Sequence, residues 1–414
     1  MGFSKLNLTL KVRLISNFFQ ETVSTAFLPF IALYLTDMVN AVFSGIFLSF
    51  LVILNLPIAL LGGYLIEILP KKKSVLAYQL VMSISLLFMA LSLMGGSHNI
   101  ILFCVSYSIF SITTGLQFAA MDTIIMDAIT PESESYVYKI GYWLSNVAVA
   151  LGAFLGGVLY SSNKFLLLLS SSVVFFLVFI SLWKWIIPDK PTLHNTKSVH
   201  SIKNILKSYD SVLRDKRYIV LTISFSFLLM AELSTSSYVS VRLKESFEII
   251  RIFSFEIDGV KMFSLLMIVN TAVVVTCTYS VLKYLLFIGE KWLLALGLFL
   301  YVIGYSNIIH LNNFTLLIVF MVVATVGEII YAPIFNEKKY KFTPEEKRGT
   351  YSGITIIGFK ISELMARFSI VMGAILTPIS MAVFVFVVLA VGAVLMYMSI
   401  FLKKNSSIQS SKIS

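Results

Sequence analysis

The sequence predicts an all-α membrane protein with twelve transmembrane helices in two six-helix bundles. Apolar runs of about twenty residues recur along the 414-residue chain, only 13% of residues are charged, and basic residues crowd into alternate connections. A soluble chain carries roughly a quarter charged residues, and a run of this length crosses a hydrocarbon core of about 30 Å. In lipid the backbone must satisfy its own hydrogen bonds, so these runs are helices.

The apolar runs define the predicted spans and one long polar interruption defines the domains. The spans are 13–36, 41–66, 74–95, 99–127, 140–160, 164–187, 217–241, 260–285, 291–310, 314–336, 350–376 and 380–402. The predicted organisation is an N-terminal bundle 1–187, a linker 188–216, a C-terminal bundle 217–402 and a tail 403–414.

The distribution of basic residues predicts the topology. Alternate connections hold 25 of the 32 Lys and Arg residues, the opposite connections hold five, and Lys360 and Arg367 fall inside the eleventh run. Basic residues favour the cytoplasmic side. We therefore expect a multi-pass protein of a bacterial cytoplasmic membrane with both termini cytoplasmic. The net charge of +11 is then a topology signal rather than a nucleic-acid surface. The first run is too long for a cleaved signal peptide.

One connection on the opposite side is unusually long. It runs from Arg242 to Lys261 and contains four acidic residues, Glu245, Glu248, Glu256 and Asp258. We expect it to form a short surface helix, and its sequence suggests no function.

The connection after the second run carries a specific pattern. Gly63 and Glu67 are followed by Lys71, Lys72 and Lys73. This spacing resembles motif A of the major facilitator superfamily, in which Gly-x-x-x-Asp precedes a basic cluster. The resemblance implies a gating element, in which the glycine permits close helix approach and the acid pairs across the interface. An ordinary positive-inside loop would explain the lysines alone.

The fifth run carries a glycine pattern, Gly152, Gly156 and Gly157. It resembles a degraded motif C, the glycine-rich element of the antiporters in this superfamily, with Ala153 where proline is usual. Small residues at this spacing also let helices pack closely, so plain packing is the alternative interpretation.

Further stretches resemble the drug/proton antiporters of this superfamily, and lactococcal multidrug transporters in particular. These stretches are 125–128, 142–146, 212–216, 255–259 and 327–333. The resemblance implies the major facilitator fold and proton-coupled efflux of hydrophobic or cationic compounds, with the proton gradient as energy source and no cofactor. The chain departs from these antiporters at Gly141, Ser236 and Gly392, where carboxylates are expected.

Ionisable side chains inside the apolar runs are the candidates for proton coupling or substrate binding, because such groups are costly in lipid. The candidates are Glu328, Glu21, Glu232, Glu363, Asp122, Asp127 and Arg367. Helical rise puts Glu21 about 12 Å and Glu328 about 21 Å into their runs. Burial disfavours the ionised form of a carboxyl group, so such a group can exchange a proton. A carboxylate that binds either a proton or a lipophilic cation couples the two fluxes by competition.

Other roles remain open for several candidates. Glu363 and Arg367 share a helix face and form a neutral pair in the structural interpretation. Asp122 and Asp127 are about 140° apart around the helix and form no dyad. Asp127 lies near the cytoplasmic mouth, where gating with the motif A lysines is as plausible as proton carriage. Glu21 has a hydrogen-bonded interior role as its alternative.

Aromatic residues near the candidate acids are Phe18, Phe19, Tyr142, Trp143 and Tyr331. They could form an apolar cavity that accepts cations. Packing is the alternative interpretation for each of them taken singly.

The sequence thus predicts a secondary transporter with its site near the midplane between two rocking repeats. The alternatives are uptake or uniport of a specific metabolite, amphiphile or lipid, or a membrane sensor that transports nothing. A proton-coupled peptide transporter is not favoured, because 17–21 lacks the acidic-arginine signature of that family. An enzyme is not expected, since no nucleophile–base set, His cluster or phosphate loop is found, and Cys104 and Cys277 have no metal spacing. The expected partners are membrane lipids, a small lipophilic substrate and protons, with no nucleic acid, for a protein that is a monomer.

Overall fold

The structure is a computed structural model that describes residues 3, 6–68, 70–94, 99–185, 210, 212–252, 255–284, 288–344 and 347–401. Most of the predicted linker 188–216 and all of the predicted tail 403–414 lie outside the described residues. The predicted division into two bundles and a linker stays a prediction.

Helices make up almost all of the described chain. They are α1 Leu8–Phe27, α2 Ile31–Met38, α3 Ala41–Ile68, α4 Lys71–Leu91, α5 Ile100–Ala128, α6 Pro131–Ser162, α7 Lys164–Trp185, α8 Lys216–Ser234, α9 Ser240–Ser246, α10 Gly259–Tyr284, α11 Glu290–Ile308, α12 Phe314–Phe342, α13 Arg348–Ile375 and α14 Pro378–Phe401. Side-chain caps fix several starts: Asn7, Asp215 and Asn313 each accept a backbone N–H of the first turn of α1, α8 and α12.

Two of the membrane spans are interrupted helices. The 3₁₀ turn Leu28–Phe30 joins α1 to α2, where Pro29 lacks the N–H that a continuous α-helix would use. The π-helical turn Thr235–Val239 joins α8 to α9. Such π turns are rare and frequently occur at functional sites.

The lengths and composition of the helices confirm the predicted fold class. In the described part of the chain, eleven helical spans are long and apolar enough to cross a membrane. The twelfth span, α13, has 28 residues and carries Lys360, Glu363 and Arg367 in its apolar sequence.

Within α1–α7 and within α8–α14, short connections make consecutive spans alternate in direction. Helix α2 contacts α9, so the two sets of helices share the same two ends. We call the end where α1 begins the termini end and the end where α2 finishes the far end. The first six spans, α1–α7, are the first half, and α8–α14 are the second half. Within the first half α1 packs on α6 and α7, and α4 packs on α5 and α7. Within the second half α11 packs on α12, and α8 packs on α13 and α14. The halves meet where α3 packs on α13 and α6 packs on α10.

The long connection on the far end is not the predicted surface helix. Helix α9 carries the seventh span on to Ser246, five residues beyond its predicted end, and strands Ile250–Ile252 (β1) and Phe255–Ile257 (β2) then form an antiparallel hairpin. The side chains of Arg251 and Glu256 form an ion pair across it at 2.5 Å. The Ile and Phe residues of this segment favour a strand over a helix.

Candidate functional site

Two predicted acids come together in the second half. Glu328 lies on α12, and Glu232 lies in the last turn of α8, three residues before the π-helical segment. Both side chains are partly buried, and Tyr301 on α11 connects their helices, because its hydroxyl donates to the carbonyl of Leu228, one turn before Glu232, at 3.0 Å. They reach one place from different helices, which the sequence spacing of 96 residues could not indicate.

An amide and a hydroxyl group orient Glu328. The Nδ2 of Asn270 on α10 donates to Glu328 Oε2 at 3.4 Å and to Thr325 Oγ1 at 3.0 Å. Thr325 in turn donates to the carbonyl of Met321 at 2.8 Å. Neither Asn270 nor Thr325 was predicted as a site residue, although an asparagine in an apolar run is a signal of the same kind as a carboxylate.

Three buried tyrosines form a wall beside the two acids. Tyr301 and Tyr305 lie on α11, and Tyr331 lies on α12, all with exposures of 3% or less. The ring centroid of Tyr301 is 5.0 Å from that of Tyr331 and 4.7 Å from that of Tyr305. Tyr331 lies three residues after Glu328, so the two side chains are one turn apart on α12. Tyr331 was predicted as a cavity aromatic, whereas Tyr301 and Tyr305 were missed.

Glycines allow the tyrosine wall to form. A Cβ at Gly327 would lie 2.9 Å from the Cα of Tyr301, and a Cβ at Gly297 would lie 3.0 Å from the backbone nitrogen of Tyr331. Helices α11 and α12 can therefore approach closely next to Glu328. The two carboxyl groups therefore lie among hydroxyl and amide groups in an interior of low dielectric constant. Two ionised carboxylates repel each other there, so binding of a proton or a cation between them is strongly favoured.

Glu21 lies in the first half, apart from this pair. It accepts a hydrogen bond from Asn17 Nδ2 at 3.2 Å and another from the hydroxyl of Ser145 on α6. Gln20 beside it donates to Gln117 on α5 at 3.4 Å. These contacts favour the interior hydrogen-bonded role for Glu21.

The charged residues of α13 do not pair as the i,i+4 spacing suggests. Glu363 forms its ion pair with Lys360, at 2.8 Å, rather than with Arg367. Arg367 donates from Nη1 to the hydroxyl of Ser237 in the π-helical segment at 3.2 Å. Arg367 thus links α13 to the segment that follows Glu232, and the predicted Glu363–Arg367 pair is wrong.

Several predicted residues have side chains outside the described part of the structure. Helix α5 contains the positions of Asp122 and Asp127, and the turn between α3 and α4 lies at the predicted motif A. The side chains of Glu67, Lys71, Asp122 and Asp127 lie outside what the structure describes, and so do the surroundings of Gly63. Lys72 and Lys73 lie in the first turn of α4, and Lys73 is exposed.

The glycines of the motif C pattern lie at helix crossings. A Cβ at Gly152 would be 2.8 Å from Thr25 Cβ of α1, and Gly156 packs equally closely on Ala26 of α1. Gly157 faces the second half, where its Cβ would lie 2.6 Å from Ser264 Cβ of α10. Two of the three glycines therefore pack inside the first half, and one packs between the halves.

The positions where the family pattern expects carboxylates are also informative. At Gly392 a Cβ would lie 2.9 Å from Phe227 Cβ and 3.2 Å from the carbonyl oxygen of Ser224, so a larger side chain does not fit there. Ser236 lies in the π-helical segment and donates to the carbonyl of Leu233 at 3.1 Å. Glu232 stands four residues before Ser236 and supplies a carboxylate to the same span.

The remaining predicted aromatics do not join Tyr331. Phe18 and Phe19 contact each other edge-on at 5.4 Å on α1. Tyr142 and Trp143 on α6 are exposed, at 63% and 54%. The structure therefore places these four aromatics on α1 and α6 of the first half, apart from Tyr331 on α12 of the second half.

Comparisons with known proteins agree with this architecture. The sequence pattern of the Major Facilitator Superfamily matches residues 14–365. The Na(+), Li(+), K(+)/H(+) antiporter of Planococcus maritimus is 23% identical over 387 residues, which cover 90% of this chain and 91% of that protein. The crystal structure of peptide transporter POT in complex with sulfate superposes with a TM-score of 0.72 at 13% identity, covering 96% of this chain and 95% of that one. A variant of nucleoside transporter NupG superposes with a TM-score of 0.71 at 15% identity, covering 95% and 100%.

Proposed function

The chain belongs to the major facilitator superfamily and is a membrane transporter of that type, and from this premise we propose that it is a proton-coupled antiporter. The observation that carries the proposal is a pair of partly buried carboxyl groups, Glu232 and Glu328, on two helices of the second half that Tyr301 bridges. In an interior site two ionised carboxylates repel each other, so the pair holds either a proton or a cation between them. Because a proton and a cation compete for this pair, movement of one across the membrane drives movement of the other in the opposite direction.

The surrounding groups support proton exchange at this pair. Asn270 holds one oxygen of Glu328, which leaves the other oxygen available to a proton or a cation. The three buried tyrosine rings limit the access of water, and the hydroxyl of Tyr301 is held by the carbonyl of Leu228. Glu328 is therefore the proposed exchange group, and Glu232 is its partner.

The proposed cargo is a hydrophobic or cationic compound that is exported against protons. The resemblance of 327–333 and four other stretches to drug/proton antiporters supports this choice. We place the termini end on the cytoplasmic side of a bacterial membrane, because 25 of the 32 basic residues fall in connections on that side or at the termini. The proton gradient drives the export and no cofactor takes part.

A second candidate is exchange of monovalent cations for protons. The relative from Planococcus maritimus, whose name states this activity, matches 90% of the chain. The site also offers oxygen atoms from Glu232, Glu328, Asn270 and Thr325, and hard cations prefer oxygen ligands.

Transport by purified protein in liposomes with an imposed pH gradient tests the proposal. One arm uses a fluorescent lipophilic cation and the other uses Na⁺ or K⁺. Wild-type protein is expected to transport one of them faster with the gradient than without it, and Glu328→Gln is expected to lose this acceleration. Glu21→Gln is the matched control, since glutamine keeps an acceptor for Asn17 and Ser145. Gradient-driven transport that survives in Glu328→Gln would overturn the site assignment, and equal rates with and without the gradient would overturn proton coupling.

A further inference from the structure

One carboxylate at the far end neutralises two ammonium groups from different halves. Asp37 at the end of α2 forms an ion pair with Lys164, the first residue of α7 in the same half. It forms a second ion pair with Lys244 on α9 of the second half. The side chain of Asp37 is 24% exposed, so it is partly shielded from water. The pair between Asp37 and Lys244 joins the two halves.

The ring of Tyr160 holds this arrangement in place. Its hydroxyl donates to Asp37 Oδ2 at 2.8 Å. The Nζ atoms of Lys164 and Lys244 lie 4.6 Å and 5.8 Å from its ring centroid, within the range of a cation–π interaction. Both ammonium groups therefore share one carboxylate and one aromatic ring.

A second polar contact joins the halves close by. Ser161 Oγ on α6 donates to Asp258 Oδ2 at 3.1 Å. Asp258 lies between β2 and α10, and its other oxygen accepts from the backbone N–H of Lys261 at 2.8 Å. At Gly259 a Cβ would lie 2.8 Å from the Cα of Lys244, so the start of α10 packs directly on α9. Lys244 and Asp258 thus belong to one compact unit.

Apolar contacts between the halves lie next to these polar ones. The rings of Phe30 and Phe263 meet edge-on with centroids 5.3 Å apart, and Gly157 packs on Ser264. The structure therefore has its halves in contact at the far end. A compound that leaves the protein at this end must pass between them.

We propose that α9 and the start of α10 form a latch for the far end and that Asp37 and Lys244 are its gating residues. When the far end opens, Lys244 moves away from Asp37, whereas Lys164 stays paired with Asp37. An unpaired carboxylate in a site shielded from water raises the free energy of the protein. Lys164 remains as a partner for Asp37 and so prevents this destabilisation of the open state. The latch needs no particular cargo and no proton, so it goes beyond the proposed antiport.

Distance measurements between the halves test the latch without any transported compound. Spin labels are attached at Met94→Cys at the end of α4 and at Ile375→Cys at the end of α13, two positions that are 56% and 76% exposed. Cys104 and Cys277, the two native cysteines, are replaced by serine. Pulsed electron paramagnetic resonance then gives the ratio of molecules with a long to a short distance across the far end, and thermal unfolding confirms that each variant is folded.

Lys244→Gln is expected to raise the ratio of long to short distances by about two- to fivefold, the factor that corresponds to a partly exposed ion pair. Lys164→Gln is the matched control and is expected not to raise it, because the pair it removes lies within one half. Asp37→Asn is expected to raise the ratio at least as much as Lys244→Gln, since it leaves two lysines to repel each other. An equal rise in Lys164→Gln and Lys244→Gln, or no rise in either Lys244→Gln or Asp37→Asn, would overturn the latch.

Discussion

Replacing Gly157 by alanine is expected to push the two halves apart at the far end. The new Cβ would lie 2.6 Å from Ser264 Cβ, whereas nonbonded carbon atoms favour separations of about 3.5–4.0 Å. Helices α6 and α10 must therefore separate by about 1 Å at this crossing. Overpacking of this kind costs about 1–3 kcal/mol. Because the cost falls only on the state in which the halves touch, it multiplies the ratio of open to closed molecules by about 5 to 150.

The same pair of spin labels, at Met94 and Ile375, measures this ratio. Gly152→Ala is the matched control, because its Cβ would lie 2.8 Å from Thr25 Cβ on α1 of the same half. That overpacking is present in both the open and the closed state. We expect Gly152→Ala to lower the melting temperature and to leave the distance ratio unchanged. If Gly157→Ala leaves the ratio as in the wild type, or if Gly152→Ala raises it equally, then overpacking between α6 and α10 does not selectively destabilise the closed state, and the prediction is refuted.

Two further substitutions, Arg242→Gln and Gly327→Ala, test the packing of the second half by thermal unfolding, with Arg251→Gln as a control. Arg242 is 5% exposed and donates to carbonyl groups at the end of α11, so Arg242→Gln is expected to cost about 1.5–3 kcal/mol for each charge-assisted bond lost. Arg251→Gln breaks an exposed pair worth at most about 1 kcal/mol, and an equal loss in both variants would contradict this account. Gly327→Ala places a Cβ 2.9 Å from the Cα of Tyr301 and is expected to cost about 1–3 kcal/mol. It should also slow transport by moving the tyrosine wall beside Glu328, and an unchanged rate would count against that wall.

The sequence was sufficient for the fold because the lipid environment imposes simple rules. Run length and the bias of basic residues identified spans that agree with the helices to within a few residues at most ends. The largest difference is at the start of α6, which begins at Pro131 rather than near residue 140. Its first turns are polar, so hydropathy did not include them, while the capping box at Thr130 and Ser133 starts the helix there.

The candidate site was only partly predictable, because its residues come from different helices. Glu232 and Glu328 were each identified as ionisable groups in apolar runs, but nothing in their spacing brings them together. Glu363 pairs with Lys360, while Arg367 donates to Ser237 of the π-helical segment. Apolar periodicity does not indicate such a segment.

The gating residues were missed for a different reason. Asp37 is at the end of a span, where a charged residue is ordinary and carries no signal. Its role depends on Lys164 and Lys244, which are 127 and 207 residues away in the chain. The long connection that holds Lys244 is unusual in the sequence only for its length. Its gating role is indicated by the contacts of Lys244 and Asp258 in the structure.

Proton movement in the absence of any imposed gradient tests the central claim most directly. Liposomes that contain the purified protein and a pH-sensitive dye are given the transported compound, or Na⁺, on the outside only. If entry of that compound is exchanged for protons at the Glu232 and Glu328 pair, the internal pH rises with wild-type protein and stays constant with Glu328→Gln. An equal rise of internal pH in both proteins would contradict the account.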